Sequence, residues 1–265
     1  MSPEAVAGTS DRLPHPRPAR YVEQVMGMPI SLALRGRHAD DDRARTAWHA
    51  VVAELVEVDR VFSTYRDDSF ISRLGRGEIT VEDCPPAVAE VLELGELARQ
   101  QSDGAFDVRR PGPDGDVVLD PSGVVKGWAV QRASALLRVL PGTDFCLSAG
   151  GDMVCHTSDA AGEPWRIGIE DPADPSRLVA VVPMHSGALA TSGTAHRGEH
   201  LVDARTGATP TRVAQVTVVA ETLTWADIDA TAAYALDAEA ATWLRGRPGR
   251  TGLVVWRDGS VDTLG

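Results

Sequence analysis

Three residues in the segment WADIDATAAY have the types and spacing of a metal site on a helix. Asp227, Thr231 and Tyr234 occupy positions i, i+4 and i+7 and share one helical face, whereas Asp229 points elsewhere. A carboxylate and a hydroxyl one turn apart suit Mg²⁺ when phosphates and water complete its shell. We expect such a ligand to be exposed. A second interpretation is equally open, in which Asp227 charges the first helical turn and Thr231 bonds back to a carbonyl.

A single lysine stands in the segment LDPSGVVKGWAV, where a strand is predicted to pass into a helix. The chain has 26 lysine and arginine residues together, and Lys126 is its only lysine. A compact ammonium fits among closely spaced backbone groups where a planar guanidinium does not. Gly127 follows it directly, which favours a site for an anionic ligand over an ordinary cation at a helix start.

The histidines and the SAGGD segment each allow two interpretations. The turn predicted between His196 and His200 makes a helical zinc pair improbable. EHLVDARTG is typical of a short strand leading into a turn, which makes His200 either a structural residue at a strand edge or a proton acceptor. In SAGGD, Gly150 and Gly151 either turn the chain or let a ligand approach the backbone.

The hydrophobic pattern predicts elements that could position these residues. Strands outnumber helices, and several neighbouring strands lack a crossover helix, which favours an α+β fold over a doubly wound parallel sheet. The STYRDDSFISRL segment is predicted to be a polar loop. Helices are predicted at residues 40–62, 85–103, 125–140, 223–236 and 238–245. Strands are predicted at residues 30–34, 116–120, 145–149, 165–170, 178–184, 214–220 and 252–256.

Composition restricts the domain organisation and the partners. Residues 1–20 have no apolar period and are predicted to be a disordered lead-in, and residues 21–265 a single domain with two lobes. A formal net charge of −12 argues against non-specific nucleic-acid or anionic-membrane binding. Three cysteines match neither a zinc motif nor a disulfide framework. Without a signal peptide or apolar span, we expect no membrane insertion and a cytoplasmic protein.

Taken in order, the motifs resemble those of the ApbE-type FAD:protein FMN transferases. The resemblance begins with VMGMPISLAL, FSTYRDDSFISRL, GAFDV and LDPSGVVKGWAV, and continues through SAGGDM, ATSGTAHR, HLVDARTG and ADIDATA. It implies an ApbE-like α+β fold of two T-fold-like halves, with mixed or antiparallel sheets and packed helices. It also implies an enzyme that transfers FMN from FAD to a serine or threonine hydroxyl of a target protein, with Mg²⁺ required and AMP released.

The resemblance assigns roles by position. Gly123, through its carbonyl, together with Asp227 and Thr231 would hold the metal, and His200 would accept the hydroxyl proton. The expected FAD contacts are Met26, Tyr65, Ala105, Phe106, Asp107, Asp120, Lys126 and Val202. Tyr65 and Phe106 would offer flat apolar surfaces, and the aspartates would accept hydrogen bonds.

Two other functions remain open at this stage. The first is hydrolysis of FAD to FMN and AMP, and the second is a flavin-binding module without turnover. The chain departs from many relatives at Phe70, where they have glutamate, and at Ala204, where they have proline. Ala230 replaces an acid found in some relatives beside the metal threonine, which would leave fewer charges around the metal.

Overall fold

The core of the molecule is one antiparallel sheet of eight strands. The computed structural model describes residues 18–111, 117–193 and 201–265. The order across the sheet is β1-β2-β5-β6-β9-β10-β11-β12, and every neighbouring pair is antiparallel. These strands are β1 (Ala19–Val25), β2 (Met28–Gly36), β5 (Thr143–Ala149), β6 (Asp152–His156), β9 (Gly187–Gly193), β10 (Val213–Ala220), β11 (Thr251–Trp256) and β12 (Val261–Leu264). Two short hairpins pair separately, β3 (Arg109–Pro111) with β4 (Val117–Leu119), and β7 (Trp165–Asp171) with β8 (Asp174–Met184).

Helices occur where the sequence has apolar residues at helical spacing. In the first helix the residues at this spacing, including Val51 and Leu55, are buried, and Asp41 caps its start by accepting the amides of Arg43 and Ala44. The α-helices are α1 (Asp42–Phe62), α2 (Phe70–Gly75), α3 (Pro86–Gln101), α4 (Ser122–Ala135), α5 (Leu223–Ala235) and α6 (Ala240–Arg245). Three short 3₁₀ helices are Val81–Asp83, Leu136–Val139 and Asp237–Glu239.

The sheet is covered differently on its two faces. Helices α1, α4 and α5 contribute to the main apolar core on one face, together with alternate strand residues such as Leu32, Leu147 and Val216. The β7–β8 hairpin covers part of the opposite face, where Trp165 and Ile167 belong to a second, smaller cluster. This alternation of side chains between two faces is what a strand period of two requires. The helical face therefore carries α4 and α5 above the middle strands.

The α+β prediction is confirmed, and so is the antiparallel arrangement. All the predicted helices have counterparts, and so do all the predicted strands except the short one before Asp203, while the polar loop prediction was wrong over α2. The strands β1, β3, β6, β9 and β12 were not predicted, and β1 begins at Ala19, two residues before the expected start at Tyr21. The eight strands are continuous, and the division into two lobes stays a prediction. Residues 1–17 of the predicted lead-in lie outside the described residues.

Over the described ranges of the chain, none of the helices has the length and apolar character needed to cross a membrane.

Gly252 provides a test of the packing between β10 and β11. Its φ is +151°, and a Cβ there would lie 2.0 Å from the Thr217 carbonyl oxygen. Gly259 also has a positive φ, +85°, but a Cβ there would meet nothing within 4 Å. We predict that Gly252→Ala lowers the free energy of unfolding by about 2–4 kcal/mol, and Gly259→Ala by about 1 kcal/mol.

Urea unfolding of both variants measures this difference. Equal losses would show that backbone conformation alone, and not the close approach to β10, requires glycine at residue 252.

Candidate active site

The site begins where α4 and α5 come into direct contact. Gly127 makes this possible, because a Cβ there would lie 2.7 Å from the Leu223 carbonyl oxygen and 2.8 Å from Cβ of Asp227. The Gly127 amide donates to Asp227 Oδ2 at 2.9 Å. Asp227 thus lies on the helix α5, and its carboxylate is fixed against the backbone of α4.

Three charged side chains meet beside this contact, and we call Lys126, Asp152 and Asp227 the acid–lysine cluster. The Lys126 ammonium lies 3.1 Å from Asp227 Oδ1 and also pairs with Asp152 Oδ2. The other oxygen of Asp152 accepts the Thr191 amide at 2.9 Å. Asp152 is 0% exposed and Asp227 2% exposed, so the expectation of an exposed ligand at Asp227 was wrong. The cluster joins α4, α5 and β6 in the interior.

The cluster has two acids for one lysine. With all three groups ionised its formal charge is −1, and little solvent reaches the carboxylates to offset it. Burial raises the pKa of Asp227 to about 7; the charge of Lys126 opposes this rise, and the neighbouring Asp152 adds to it. A buried site with excess negative charge favours binding of a further cation.

Gly123 and Thr231 lie close to each other beside Asp227. A Cβ on Gly123 would be 3.9 Å from Cγ2 of Thr231, and the Thr231 hydroxyl lies 3.1 Å from the Ser192 hydroxyl. In an α-helix the Gly127 amide would donate to the Gly123 carbonyl, but here it also donates to Asp227. The Gly123 oxygen therefore keeps capacity for another partner.

The donor set fits a hard divalent cation. It combines a carboxylate, a hydroxyl and a main-chain carbonyl, and Mg²⁺ accepts such oxygen ligands alongside water and phosphate. No group of three or more His, Cys, Asp or Glu residues suited to a metal occurs in the described part of the chain, so the protein would supply few charges to the ion. The alternative role of Asp227 as a helix-start charge fits less well, because its carboxylate bonds to α4 and Thr222 is the N-cap of α5.

The predicted FAD contacts in GAFDV lie next to this site, and two of them are buried. Phe106 packs its ring on Gly123, where a Cβ would lie 2.8 Å from Cε2. Ala105 is also buried, and its carbonyl accepts the Ala204 amide at 3.1 Å. Asp107 is half-buried and accepts the Arg109 amide at 2.7 Å. Phe106 thus supports the start of α4 more than it offers an open surface.

Asp120 is held at the start of α4 by bonds within the chain. It accepts Ser122 Oγ at 2.5 Å and Arg110 Nη2 at 2.9 Å. Burial alone would raise the pKa of Asp120, but the hydrogen bonds from Ser122 and Arg110 outweigh it and lower the pKa. Asp120 therefore stays ionised and ready to accept further hydrogen bonds at neutral pH.

Three further expected FAD contacts are more peripheral. Met26 lies in the turn between β1 and β2 and lines a cleft of about 360 Å³ with Val56 and Asp59 of α1. Tyr65 follows the end of α1 and is 98% exposed. Val202 is half-buried. Among the described residues, no hydrogen bond joins Met26 or Tyr65 to the acid–lysine cluster.

The structure describes only part of the segment that contains the predicted histidines. His196 and His200 lie outside the described residues. The predicted strand was wrong for residues 201–202, which form no strand. The turn predicted to begin at Asp203 is present, and the Gly207 amide closes it by donating to the Asp203 carbonyl at 2.7 Å. The loop is held by hydrogen bonds of this kind and by Arg205, which pairs with Asp203 at 2.7 Å.

Sequence reasoning missed Asp152 and treated Asp229 correctly. The predictions for SAGGD concerned its glycines. Gly150 and Gly151 do turn the chain, both with positive φ, so that Ala149 pairs with Asp152. The available signal was the acid directly after that turn. Asp229 points away from Asp227, as expected, and pairs with Arg247 at 2.8 Å and Arg250 at 2.6 Å.

Solved structures share this fold. The ApbE protein from Thermotoga maritima matches with a TM-score of 0.78 at 19% identity, covering 94% of this chain and 97% of that chain. The flavinyl transferase ApbE from Pseudomonas stutzeri, in its apo form, matches with a TM-score of 0.78 at 21% identity, covering 96% of this chain and 97% of that chain. At these identities the likeness shows a common fold.

Sequence comparison agrees with the structural likeness. The FAD:protein FMN transferase of Klebsiella pneumoniae is 30% identical over 122 residues, which cover 42% of this chain and 35% of the relative. That of Salmonella typhimurium is 27% identical over 154 residues, 54% of this chain and 44% of the relative. The matched stretch thus spans less than half of each relative. The model of the ApbE family matches residues 26–111 and 110–254, which is most of the sequence, and this chain belongs to the ApbE family.

Proposed function

We propose that this protein transfers FMN from FAD to a serine or threonine hydroxyl of a target protein and releases AMP, with Mg²⁺ as cofactor. The observation that carries the proposal is the buried acid–lysine cluster, in which two carboxylates face one lysine beside Thr231 and Gly123. The relatives named as FAD:protein FMN transferases support the choice of substrate. The acceptor hydroxyl would come from another protein.

Asp227, Thr231 and the Gly123 carbonyl would hold the metal. When bound, Mg²⁺ supplies positive charge that offsets the charge developing on the diphosphate oxygens of FAD. Asp227 is already oriented by the Gly127 amide, and Thr231 by Ser192, so these two ligands would need little reorganisation. Attack on a phosphoryl group depends mainly on positioning and charge, so the reaction needs no covalent intermediate with the protein.

Lys126 and the residues around the start of α4 would bind FAD. The ammonium adds a compact positive charge beside the diphosphate, in a site where the adjacent Gly127 leaves room. Asp107 and Asp120 would accept hydrogen bonds from ribose, ribityl or base donors. Exposed Tyr65 and the cleft at Met26 would contact the rings of FAD. Ala105, Phe106 and Val202 would contact FAD through the edges of their side chains or through their main chain.

His200 would accept the proton of the attacking hydroxyl. Imidazole titrates near neutral pH, which suits this task. Residues on both sides of its segment support this role: Ser192 contacts Thr231, and Ala204 is bonded to Ala105. We also propose that the reaction occurs in the cytoplasm, in keeping with three free cysteines.

The experiment combines purified protein, FAD and Mg²⁺ with an extract from cells that lack the gene for this chain. We expect a flavin-fluorescent protein band on a denaturing gel, with AMP released in step. AMP and FMN without a labelled band would instead support FAD hydrolysis. A labelled band that forms without release of AMP would contradict the proposal. The absence of both a labelled band and AMP would also contradict it and would support a flavin-binding module.

Asp227→Asn tests the metal assignment. Asparagine has nearly the same shape and can still accept the Gly127 amide, but it lacks the charge that a divalent cation needs. We predict that transfer falls by about 100-fold or more at unchanged FAD concentration. Initial rates of AMP release measure the effect, and the melting temperature verifies folding.

Asp144→Asn is the matched control, because Asp144 pairs with Arg35 at 2.8 Å, away from the acid–lysine cluster. It should leave the rate unchanged. An equal rate for Asp227→Asn and the wild type would remove Asp227 from the metal site.

Lys126→Arg tests whether a compact cation is required. The guanidinium fork is broader than an ammonium and would have to enter the space between two buried carboxylates. We predict an FAD dissociation constant raised by about fivefold or more, measured by flavin fluorescence quenching. A constant within about twofold of the wild type would show that charge alone suffices at this position.

A further inference from the structure

The acid–lysine cluster sets two cations in competition for one carboxylate, an inference that rests on the proposed metal role of Asp227. The Lys126 ammonium already lies 3.1 Å from Asp227 Oδ1. A divalent cation bound by Asp227 would have to share that carboxylate with the ammonium or displace it. Two cations beside a single buried carboxylate repel each other, because the low-dielectric surroundings screen them poorly.

Asp152 offers the second carboxylate that this competition requires. It stands at the first residue of β6, directly after the Gly150–Gly151 turn, and it is fully buried. Its Oδ1 accepts the Thr191 amide of β9, so the side chain is fixed to the sheet. The remaining oxygen, Oδ2, pairs with Lys126. Asp152 is therefore a rigid anion, while Lys126 has a flexible stem that can move toward it.

We propose that Asp152 is a positioning residue, which retains the Lys126 ammonium in the site when a divalent cation takes Asp227. With both carboxylates, the metal ion and Lys126, the formal charge of the site is +1, which favours an anionic diphosphate. Without the charge of Asp152, the ammonium pairs with Asp227 alone of the two acids, and this pairing opposes metal binding. Asp152 would thus act on the metal and the substrate through Lys126.

A purely structural role for Asp152 makes a different prediction. Its structural contact is the bond from the Thr191 amide, and the carbonyl oxygen of an asparagine could accept the same bond. Asp152→Asn therefore preserves shape and that hydrogen bond but removes the charge. A simple long-range attraction between Asp152 and the metal is a third possibility, and it would not depend on Lys126.

Metal binding without FAD separates these roles. Mn²⁺, which takes the same oxygen ligands as Mg²⁺, is titrated into the full chain and followed by electron paramagnetic resonance. We expect Asp152→Asn to raise the Mn²⁺ dissociation constant by about tenfold. In a protein that also carries Lys126→Met, we expect Asp152→Asn to change this constant by about twofold or less. Asp144→Asn, which removes an ion-paired carboxylate from β5 of the same hairpin, should leave the Mn²⁺ dissociation constant unchanged.

An unchanged dissociation constant in Asp152→Asn would overturn the proposal in favour of the structural role. Equal losses with and without Lys126 would overturn it in favour of direct attraction. Melting temperatures verify that each variant is folded.

A second measurement needs neither a metal nor Lys126→Met, whose two unpaired buried acids could prevent folding. Because Lys126 is the only lysine, protein labelled with ¹³C- and ¹⁵N-lysine gives one side-chain ammonium signal. We expect this signal to shift and its hydrogen exchange to quicken in Asp152→Asn, and to stay unchanged in Asp144→Asn. The same signal and exchange rate in Asp152→Asn and the wild type would overturn the positioning role. Failure of the wild type to bind Mn²⁺ would instead contradict the proposed metal function, and this signal would still decide the role of Asp152.

Discussion

A lysine shared between two buried carboxylates is the interaction around which this site is organised. Lys126, Asp152 and Asp227 come from three different elements, and removing the charge of the lysine would leave two carboxylates poorly compensated in the interior. A buried ion without a partner costs several kcal/mol, so the lysine is needed for the acids to be tolerated at all. The second acid gives the cluster one carboxylate more than it has lysines. In our proposal the cluster is both a part of the core and a receptor for a cation.

The fold makes this arrangement possible through close backbone approaches. Gly127 lets α4 and α5 touch, which places Asp227 next to Lys126. The turn at Gly150 and Gly151 starts β6 with Asp152 facing the helices, and pairing of β6 with β9 fixes that acid through the Thr191 amide. The helical face of the sheet thus carries the site, while the β7–β8 hairpin covers part of the other face. Membership of the ApbE family agrees with this architecture.

The sequence predicted what depends on local spacing. Helical periodicity placed Asp227 and Thr231 on one face of α5, and glycine and proline signals placed the ends of α3. The contacts of Lys126 could not be predicted in the same way, because they join residues 126, 152 and 227 through the register of the sheet and the packing of two helices. The strand β9 was missed since its GALATSG sequence contains few β-branched residues. Burial of Asp227 could likewise not be predicted, because its neighbours Ile228 and Ala230 also fit a helix with one exposed face.

The central claim is that Asp227 of this cluster, with Thr231 and Gly123, holds the metal beside FAD. The most direct measurement is a crystal structure of the chain grown with FAD and Mn²⁺, in which the metal is located by its anomalous scattering. Our account predicts a peak within coordination distance of Asp227, Thr231 and the Gly123 carbonyl, with Lys126 displaced toward Asp152. Bound FAD with its metal at another position, or with Lys126 still paired to Asp227 and no metal peak, would contradict it.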